Sequence, residues 1–182
     1  MRIIAGEWRG RQIAAPKGDS VRPTLDRVRE AWMSMVHTQL PEARVLDLFA
    51  GSGALGLEAL SRGARQVDFV ENDPRTFRVL QENVRALGAE GRCTLHRTDA
   101  MAFLRQNPLG LSLSAPGDLY EVAFADPPYR KGIAVELAER WLKQPFATIF
   151  GVEHESFEKL PVGGDTRKYG DTSVTIFRTS AG

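Results

Sequence analysis

From residue 44 onward the chain alternates short buried strands with helices, and this alternation limits the folds open to it more than any other feature. Strands are predicted over residues 45–49, 67–70, 93–96, 120–125 and 146–152. Helices are predicted between them, over residues 53–62, 74–88, 99–104 and 133–142. Such repeats build a parallel sheet with helices on both faces. The alternating run 173–177 follows a turn-rich segment and predicts a terminal antiparallel hairpin strand.

The first 43 residues do not follow this alternation and are predicted to form an extension. Residues 2–6 and 10–14 flank a turn bounded by glycines, a pattern typical of a β-hairpin. Thr24 can cap a helix whose apolar residues recur at three- and four-residue spacing until Pro41. We therefore expect an extension over residues 1–43 and a main domain over residues 44–182.

Composition excludes several classes of protein. The 182 residues are 42% hydrophobic, yet no apolar run is long enough to span a bilayer and no signal-peptide pattern is present, so a cytoplasmic protein without membrane contact is expected. The single cysteine, Cys93, excludes an intramolecular disulfide, and it has no histidines at metal-ligand spacing, so no metal is expected. A net charge of +1 does not by itself indicate a nucleic-acid-binding protein.

A glycine-rich loop separates the first predicted strand from its helix. Gly51, Gly53 and Gly56 have the spacing G-x-G-x-x-G, which in dinucleotide enzymes lets a pyrophosphate approach a helix N-terminus. Glu71 follows at a spacing compatible with a ribose-binding acid. The carboxylate of Asp47, just before the loop, would repel a pyrophosphate but attract an ammonium group such as that of S-adenosylmethionine. A loop that only permits tight packing is the structural alternative.

A second motif, Asp126-Pro127-Pro128-Tyr129, follows the strand predicted over residues 120–125. A carboxylate and a carbonyl at a strand end can accept two hydrogen bonds from a planar amino group. The prolines stiffen the backbone, and the tyrosine ring offers a stacking face for a base. The motif therefore indicates a site that handles a nucleobase, although a plain Pro-Pro turn would show the same residues.

The order of these motifs resembles that of class I S-adenosylmethionine-dependent methyltransferases. The resemblance implies that the glycine loop wraps the methionine part of the cofactor, that Glu71 binds the ribose hydroxyls and that Asp99 binds the adenine amino group. The residues to which it assigns cofactor binding are Asp47, Phe49, Ala50, Gly51, Ser52, Gly53, Glu71, Asn72, Asp99, Ala100 and Asp126. Helix capping is an equally good explanation of Asp99 on its own.

The flanks are similar to those of the RsmD family, in the runs 2–6, 8–11, 22–31 and 169–172. This resemblance implies a Rossmann-like α/β fold with a mostly parallel seven-stranded sheet. It also implies methylation of guanine N2 in 16S ribosomal RNA, with the small ribosomal subunit as partner and a monomer as the expected state. Assigned to catalysis are Asp126, Pro127, Pro128 and Tyr129. Assigned to RNA binding are Trp8, Arg9, Arg11, Arg22, Arg27 and Arg29.

Other functions share part of this evidence. The Asp-Pro-Pro-Tyr motif reads an amino group rather than a particular base, so a DNA adenine-N6 methyltransferase is an alternative. A noncatalytic ribosome-binding protein would keep the fold, and an NAD-dependent oxidoreductase would keep the glycine loop. The arginines of the first 30 residues would also suit a solvated surface that pairs with nearby carboxylates. The sequence leaves open the nucleotide, naked RNA or assembled subunit, and the proton acceptor.

Overall fold

The computed structural model describes residues 1–15, 23–106, 119–129 and 131–179, with only the backbone at residues 23–26. Its centre is a seven-stranded sheet in the order β3-β2-β1-β4-β5-β7-β6. The first five strands are parallel, and β7 runs antiparallel between β5 and β6. The strands are β1 (Arg44–Leu48), β2 (Gln66–Val70), β3 (Cys93–His96), β4 (Tyr120–Ala125), β5 (Ala147–Glu155), β6 (Asp165–Tyr169) and β7 (Thr172–Arg178).

Within the described residues, five α-helices cover the two faces of this sheet. They are α1 (Pro23–Val36), α2 (Ala54–Ser61), α3 (Pro74–Leu87), α4 (Ala100–Gln106) and α5 (Ile133–Lys143). One buried cluster joins α1, α2 and α3 to the sheet, and a second joins α4 and α5 to its other face. Two short 3₁₀ helices, His37–Gln39 and Glu90–Arg92, complete the described helical structure.

The sequence specifies where these helices begin and end. Asp73 accepts hydrogen bonds from the amides of Arg75 and Thr76 at the start of α3, and Gly88 ends the helix in a left-handed conformation. At the start of α4, the Asp99 carboxylate accepts from Ala102 N at 2.9 Å. The capping role predicted for Asp99 is therefore confirmed.

The predicted α/β class is confirmed, and the differences are local. Helix α1 begins at Pro23, so Thr24, predicted to cap this helix, lies inside it. The edge strand β6 lies inside the segment predicted to be turn-rich, because its residues are polar and mostly exposed and lack the apolar alternation of a buried strand. The predicted N-terminal hairpin has no regular strands; its two arms meet in a single antiparallel bridge between Arg2 and Gln12. Backbone bonds such as Ile3 N to Arg11 O still close the turn.

The N-terminal segment shares its core with the sheet. Ile3, Trp8 and Ile13 belong to the same buried cluster as Trp32 of α1 and Phe69 of β2. The amides of Ile4 and Ala5 donate to the buried Glu58 carboxylate of α2. The division predicted at residues 43 and 44 stays a prediction about domain organisation, while the hydrophobic core runs across it.

The strand order places a crevice between β1 and β4. After β1 the chain moves outward through β2 and β3, then crosses to β4 on the other side of β1. In open parallel sheets, ligands bind outside the carboxyl ends of the strands at such a reversal. The motifs around Gly51 and Asp126 both follow strands that end there.

Candidate active site

An open cleft of about 1470 Å³ lies at the carboxyl ends of the central strands. It brings together residues from the loops after four strands, β1, β2, β3 and β4. The predicted site residues that line it are Phe49, Glu71, Asn72, Asp99, Ala100, Asp126, Pro127, Pro128 and Tyr129. Sites predicted from separate sequence motifs thus meet in one cavity.

The glycine loop is fixed by the acid that follows β2. The amide of Gly51 donates to Glu71 Oε2 at 2.9 Å, and the amide of Asp73 donates to Glu71 Oε1 at 2.7 Å. Ala50 N adds a 3.0 Å bond to the carbonyl of Val70. Phe49 holds a positive φ of 59°, which is uncommon for a residue with a side chain and concentrates at functional sites. The loop is therefore held in one shape beside the cleft.

Asp47 lies beneath this loop instead of on the cleft wall. Its side chain is buried, and Oδ2 accepts from Gly56 N at 2.9 Å. Burial raises the pKa of this carboxyl to about 7, and the nearby Glu71 adds to the rise. Asp47 is absent from the described residues that line the cleft, and its bond to Gly56 holds the loop from below. Its contact with the ammonium group of the cofactor stays a prediction.

Gly56 explains the last glycine of the motif. A Cβ at this position would lie 2.3 Å from the Phe69 ring of β2, closer than real carbon contacts allow. Only glycine lets α2 pack this closely against the sheet. The glycine spacing therefore serves packing at Gly56, and backbone conformation at Gly53, which has φ 84°.

The cleft is strongly acidic. Among the described lining residues, the acids are Glu71, Asp73, Asp99, Asp126, Glu153 and Asp171, against a single lysine, Lys131. Such a wall repels a pyrophosphate and attracts a cation. Its carboxylates are acceptors for hydroxyl and amino donors. These properties fit S-adenosylmethionine, which carries positive charge, ribose hydroxyls and an adenine amino group, and they disfavour NAD.

The Asp-Pro-Pro-Tyr segment lines the cleft after β4, on the other side of β1 from Glu71. Pro127 is buried, whereas Asp126 is exposed to the cleft and Tyr129 is 41% exposed. The Tyr129 hydroxyl lies 2.8 Å from Glu153 Oε1 and 2.8 Å from Thr172 Oγ1. Burial and the nearby Glu153 carboxylate raise the pKa of the Tyr129 phenol. The tyrosine ring is therefore held at its hydroxyl end and open to the cleft elsewhere.

Glu153 is a site residue that the sequence analysis missed. The strand was predicted to end at residue 152, but β5 continues through Glu155. Glu153 is 6% exposed and lines the cleft, and burial raises the pKa of its carboxyl. The one signal in the sequence was an acid directly after a buried strand that lies next to the strand leading to Asp126.

The predicted RNA-binding residues are distributed over different environments. Trp8 is 5% exposed, with the guanidinium of Arg92 4.8 Å from its ring centroid, so this indole does not offer a free stacking face. Arg29 is also buried and donates to the carbonyl of Arg2 at 2.8 Å. Arg11 donates to the carbonyl of Ala86. The exposed members are Arg9, Arg11 and Arg27, and Arg22 lies outside the described residues.

The turn that carries Arg9 lies at the opposite end of the sheet from the cleft. Glu7 N donates to the carbonyl of Ser61, the last residue of α2, and Glu7 pairs with Arg92 just before β3. Both partners mark the amino ends of the strands. Beyond the turn, Ala14 bonds to Asn83 of α3, whose amide group also donates to the Ser52 carbonyl of the glycine loop. The N-terminal segment thus runs from the amino ends of the strands toward the glycine loop.

Two features are absent from the described residues. No group of three or more histidine, cysteine, aspartate or glutamate side chains has an arrangement that could hold a metal ion. Among the helices that the structure describes, none has the length and apolar character needed to cross a membrane.

Proteins similar to this chain match it over most of its length. The family model described as conserved hypothetical protein 95 matches residues 1–178. Ribosomal RNA small subunit methyltransferase D of Haemophilus influenzae is 35% identical over 187 residues, covering 98% of this chain and 92% of that protein. The protein of the same name from Escherichia coli K12 is 40% identical over 136 residues, 75% of this chain and 64% of that protein. The aligned part thus spans less than two thirds of the Escherichia coli relative.

Solved structures agree with these matches. The structure of yhhF from Escherichia coli is 31% identical with a TM-score of 0.80, covering 100% of this chain and 99% of that chain. A hypothetical protein of Thermus thermophilus is 30% identical with a TM-score of 0.82, at 98% and 99% coverage. Together with the family model, these relatives confirm the predicted family: the chain belongs to the ribosomal RNA small subunit methyltransferase D, or RsmD, family.

Proposed function

We propose that this protein transfers a methyl group from S-adenosylmethionine to the N2 amino group of a guanine in 16S ribosomal RNA. The observation that carries the proposal is the convergence of Glu71, Asp99 and the Asp126-to-Tyr129 segment on one acidic cleft. Acceptors for a cofactor's hydroxyl and amino groups and an acceptor for a base amino group stand on facing walls. Relatives named as ribosomal RNA methyltransferases support RNA as the substrate.

The cofactor-binding half of the cleft fits S-adenosylmethionine through its acceptors. Glu71 binds the ribose hydroxyls, and Asp99 accepts from the adenine amino group while its other hydrogen bond caps α4. Phe49, directly before the glycine loop, lines the methionine side of the cleft. Asp47 holds the loop from below through Gly56. When bound, the cofactor supplies a methyl group on a sulfonium centre that is open to attack by a nucleophile.

The task of the protein at the other wall is alignment of the amino group. The lone pair of guanine N2 is conjugated with the ring, so the nitrogen is a poor nucleophile until its geometry changes. Asp126 and the carbonyl of Pro127 accept the two N–H bonds and direct the nitrogen toward the cofactor. Holding two reactants in a near-attack geometry can contribute about 7 to 11 kcal/mol to catalysis. Positioning therefore supplies most of the rate acceleration in this account.

Tyr129 completes the base site. A base in a paired or stacked strand cannot reach the bottom of a cleft, so the target guanine must be extruded and received by a stacking partner. Tyr129 is 41% exposed and lines the cleft beside Asp126. Stacking on an aromatic ring contributes about 1 to 3 kcal/mol per base. This contribution offsets part of the cost of extrusion.

The acidic cleft also restricts how RNA approaches. Its carboxylates repel phosphates, so the base enters while the RNA backbone stays on the rim, where Lys131 is the described lining cation. A net charge of +1 gives the chain little nonspecific affinity for RNA. Shape matching to an assembled small subunit then supplies the remaining affinity. The assembled subunit is therefore the proposed substrate.

The test is transfer of a labelled methyl group from S-adenosylmethionine to small ribosomal subunits that lack the modification, followed by nucleoside analysis. N2-methylguanosine in the RNA is the expected product. Label found instead as methyladenine in DNA would keep the cofactor site and overturn the substrate. Label in neither nucleic acid would support the noncatalytic alternative. Faster modification of naked 16S RNA than of subunits would overturn the assembled substrate alone.

A further inference from the structure

The hydroxyl group of Tyr129 joins three separate parts of the fold. Its oxygen lies 2.8 Å from Glu153 Oε1 and 2.8 Å from Thr172 Oγ1. Tyr129 follows β4, Glu153 belongs to β5 and Thr172 is the first residue of β7. The segment that receives the base is thereby tied to the two neighbouring strands that continue the sheet beyond β4.

The number of available protons determines which group donates in each of the two hydrogen bonds. A tyrosine hydroxyl has one proton to donate, and an ionised carboxylate has none. When Glu153 is ionised, Tyr129 donates to Glu153, and Thr172 donates to the oxygen of Tyr129. The bond to the carboxylate is charge-assisted and stronger than a bond between neutral groups. Both hydroxyl protons are used, and the phenol oxygen is held from two sides.

Glu153, which accepts the hydrogen bond from Tyr129, is buried in the sheet at a cost in free energy. Glu153 is 6% exposed and lies opposite Val174 in the register of β5 and β7. Burial raises the pKa of its carboxyl, which shows that the ionised form is poorly solvated there. In the part of the chain that the structure describes, its carboxylate takes one hydrogen bond, from Tyr129, and joins no ion pair. Placing a carboxylate here is unfavourable for stability, and the contact it serves is the one with Tyr129.

We propose that Glu153 and Thr172 are positioning residues that fix the orientation of the Tyr129 ring along the cleft. The Pro127-Pro128 backbone restrains one end of the tyrosine, and the two hydrogen bonds restrain the other. Neither residue needs to touch the base or the cofactor. The proposal rests on the proposed function, because the task of the oriented ring is to stack on the extruded guanine.

Conservative variants separate orientation from other effects. Tyr129→Phe keeps the stacking face and removes the hydroxyl. Thr172→Val removes one hydrogen bond at nearly constant volume. Thr166→Val is its matched control, because Thr166 Oγ1 makes a comparable 2.7 Å contact with Thr175 on the same hairpin, away from the cleft lining. Glu153→Leu removes the acceptor, and Glu153→Gln restores an acceptor without the charge.

The first readout is the state of the Tyr129 hydroxyl in the free protein, which does not depend on activity. The chain has three tyrosines, so protein labelled with ¹³C at tyrosine Cζ gives a simple spectrum, and the signal lost in Tyr129→Phe belongs to Tyr129. We expect this signal to move toward that of free tyrosine in Glu153→Leu and Thr172→Val. Thr166→Val should leave it in place. An unmoved signal in both cleft variants would overturn the proposal.

The second readout is steady-state methyl transfer to small subunits that lack the modification. We expect kcat to fall about tenfold in Thr172→Val, the effect of one lost hydrogen bond, and further in Tyr129→Phe, which loses two. The KM for S-adenosylmethionine should be unchanged in both. Glu153→Gln should retain more activity than Glu153→Leu, and Thr166→Val should match the wild type. Normal kcat in variants whose Tyr129 signal has moved would overturn this proposal alone. An inactive wild-type protein would overturn the proposed function and, with it, the stacking role of the ring.

Discussion

The backbone amide of Gly51 donates a 2.9 Å hydrogen bond to Oε2 of Glu71, which joins the glycine loop after β1 to the acid after β2. The other carboxylate oxygen accepts from Asp73 N at 2.7 Å, just before α3 begins. The same side chain lines the cleft. One carboxylate thus orders two walls of the site while it remains available to a ligand.

Glu71→Ala is expected to weaken S-adenosylmethionine binding by about 10- to 100-fold, because it removes acceptors for two hydroxyl groups and releases the Gly51 loop. Titration calorimetry measures this directly. Glu71→Gln should fall between the wild type and Glu71→Ala, because an amide keeps one acceptor oxygen. Glu82→Ala, on the exposed side of α3, is the control and should bind normally. Equal binding by Glu71→Ala and Glu82→Ala would remove Glu71 from the cofactor site.

Asp47 makes the stability of the protein depend on pH. Its pKa is raised from 3.8 to about 7 in the folded state, so the folded protein binds this proton more tightly than the unfolded chain does. The stabilisation from protonation is complete below pH 3.8 and is lost as the pH rises through about 7. At pH 8 the group is largely ionised in the fold and costs about 4 kcal/mol. At pH 5 it is protonated in the fold but mostly ionised in the unfolded chain, and the cost is about 2 kcal/mol.

Asp47→Asn should therefore raise Tm more at pH 8 than at pH 5, relative to the wild type at each pH. The amide oxygen can still accept from Gly56 N, so the loop keeps its hydrogen bond. Any packing cost of the amide is the same at both pH values and cancels in the comparison. A difference in Tm that is independent of pH would show that Asp47 does not titrate in this range.

Gly56→Ala is expected to destabilise the protein by about 1 to 3 kcal/mol, because the added methyl group would meet the Phe69 ring at 2.3 Å. Chemical denaturation measures the change. Gly91→Ala is the matched control, since nothing lies within 4 Å of its added methyl group and its φ is not positive. A Gly56→Ala protein as stable as Gly91→Ala would mean that α2 is free to shift on the sheet.

Lys131 and Arg9 test which end of the molecule faces the RNA. Lys131 lines the cleft, whereas the turn with Arg9 lies near the end of α2, at the amino ends of the strands. We expect Lys131→Ala to raise the KM for small subunits about three- to tenfold, with a weaker dependence on salt. Arg9→Ala should stay within about twofold of the wild type. The reverse order would place the RNA over the N-terminal turn.

The alternating pattern was sufficient to predict most of the sheet and its helices. Parallel strands buried on both faces are continuously apolar, as β4 is from Val122 to Ala125. Glycine, proline and aspartate mark the helix ends, as at Asp73, Pro74 and Gly88. The strand β6 was not predicted, because an exposed edge strand needs no apolar face. Its pairing with β7 depends on backbone hydrogen bonds, which the side-chain pattern does not record.

Some of the predicted site residues meet in the cleft and others do not, and the difference follows from what the sequence can encode. Residues at strand ends, such as Glu71 and Asp126, converged because parallel strands end at one edge of the sheet. Trp8 and Arg29 looked available for RNA, but tertiary packing buries both. The burial of Glu153 could not be predicted, because it depends on the pairing of β5 with β7, two distant parts of the chain. Burial of a polar residue is a property of the whole fold and has no local signature.

The assignment of Asp126 to the amino group that receives the methyl is tested most sharply with Asp126→Ala. Calorimetry measures its affinity for S-adenosylmethionine, and a transfer assay measures methylation of small subunits that lack the modification. Asp126 is exposed on the cleft wall, so the change should not disturb the core. We expect cofactor affinity close to that of the wild type and a loss of transfer of about 100-fold or more. Retained transfer would contradict the assignment of Asp126 to the amino group that receives the methyl.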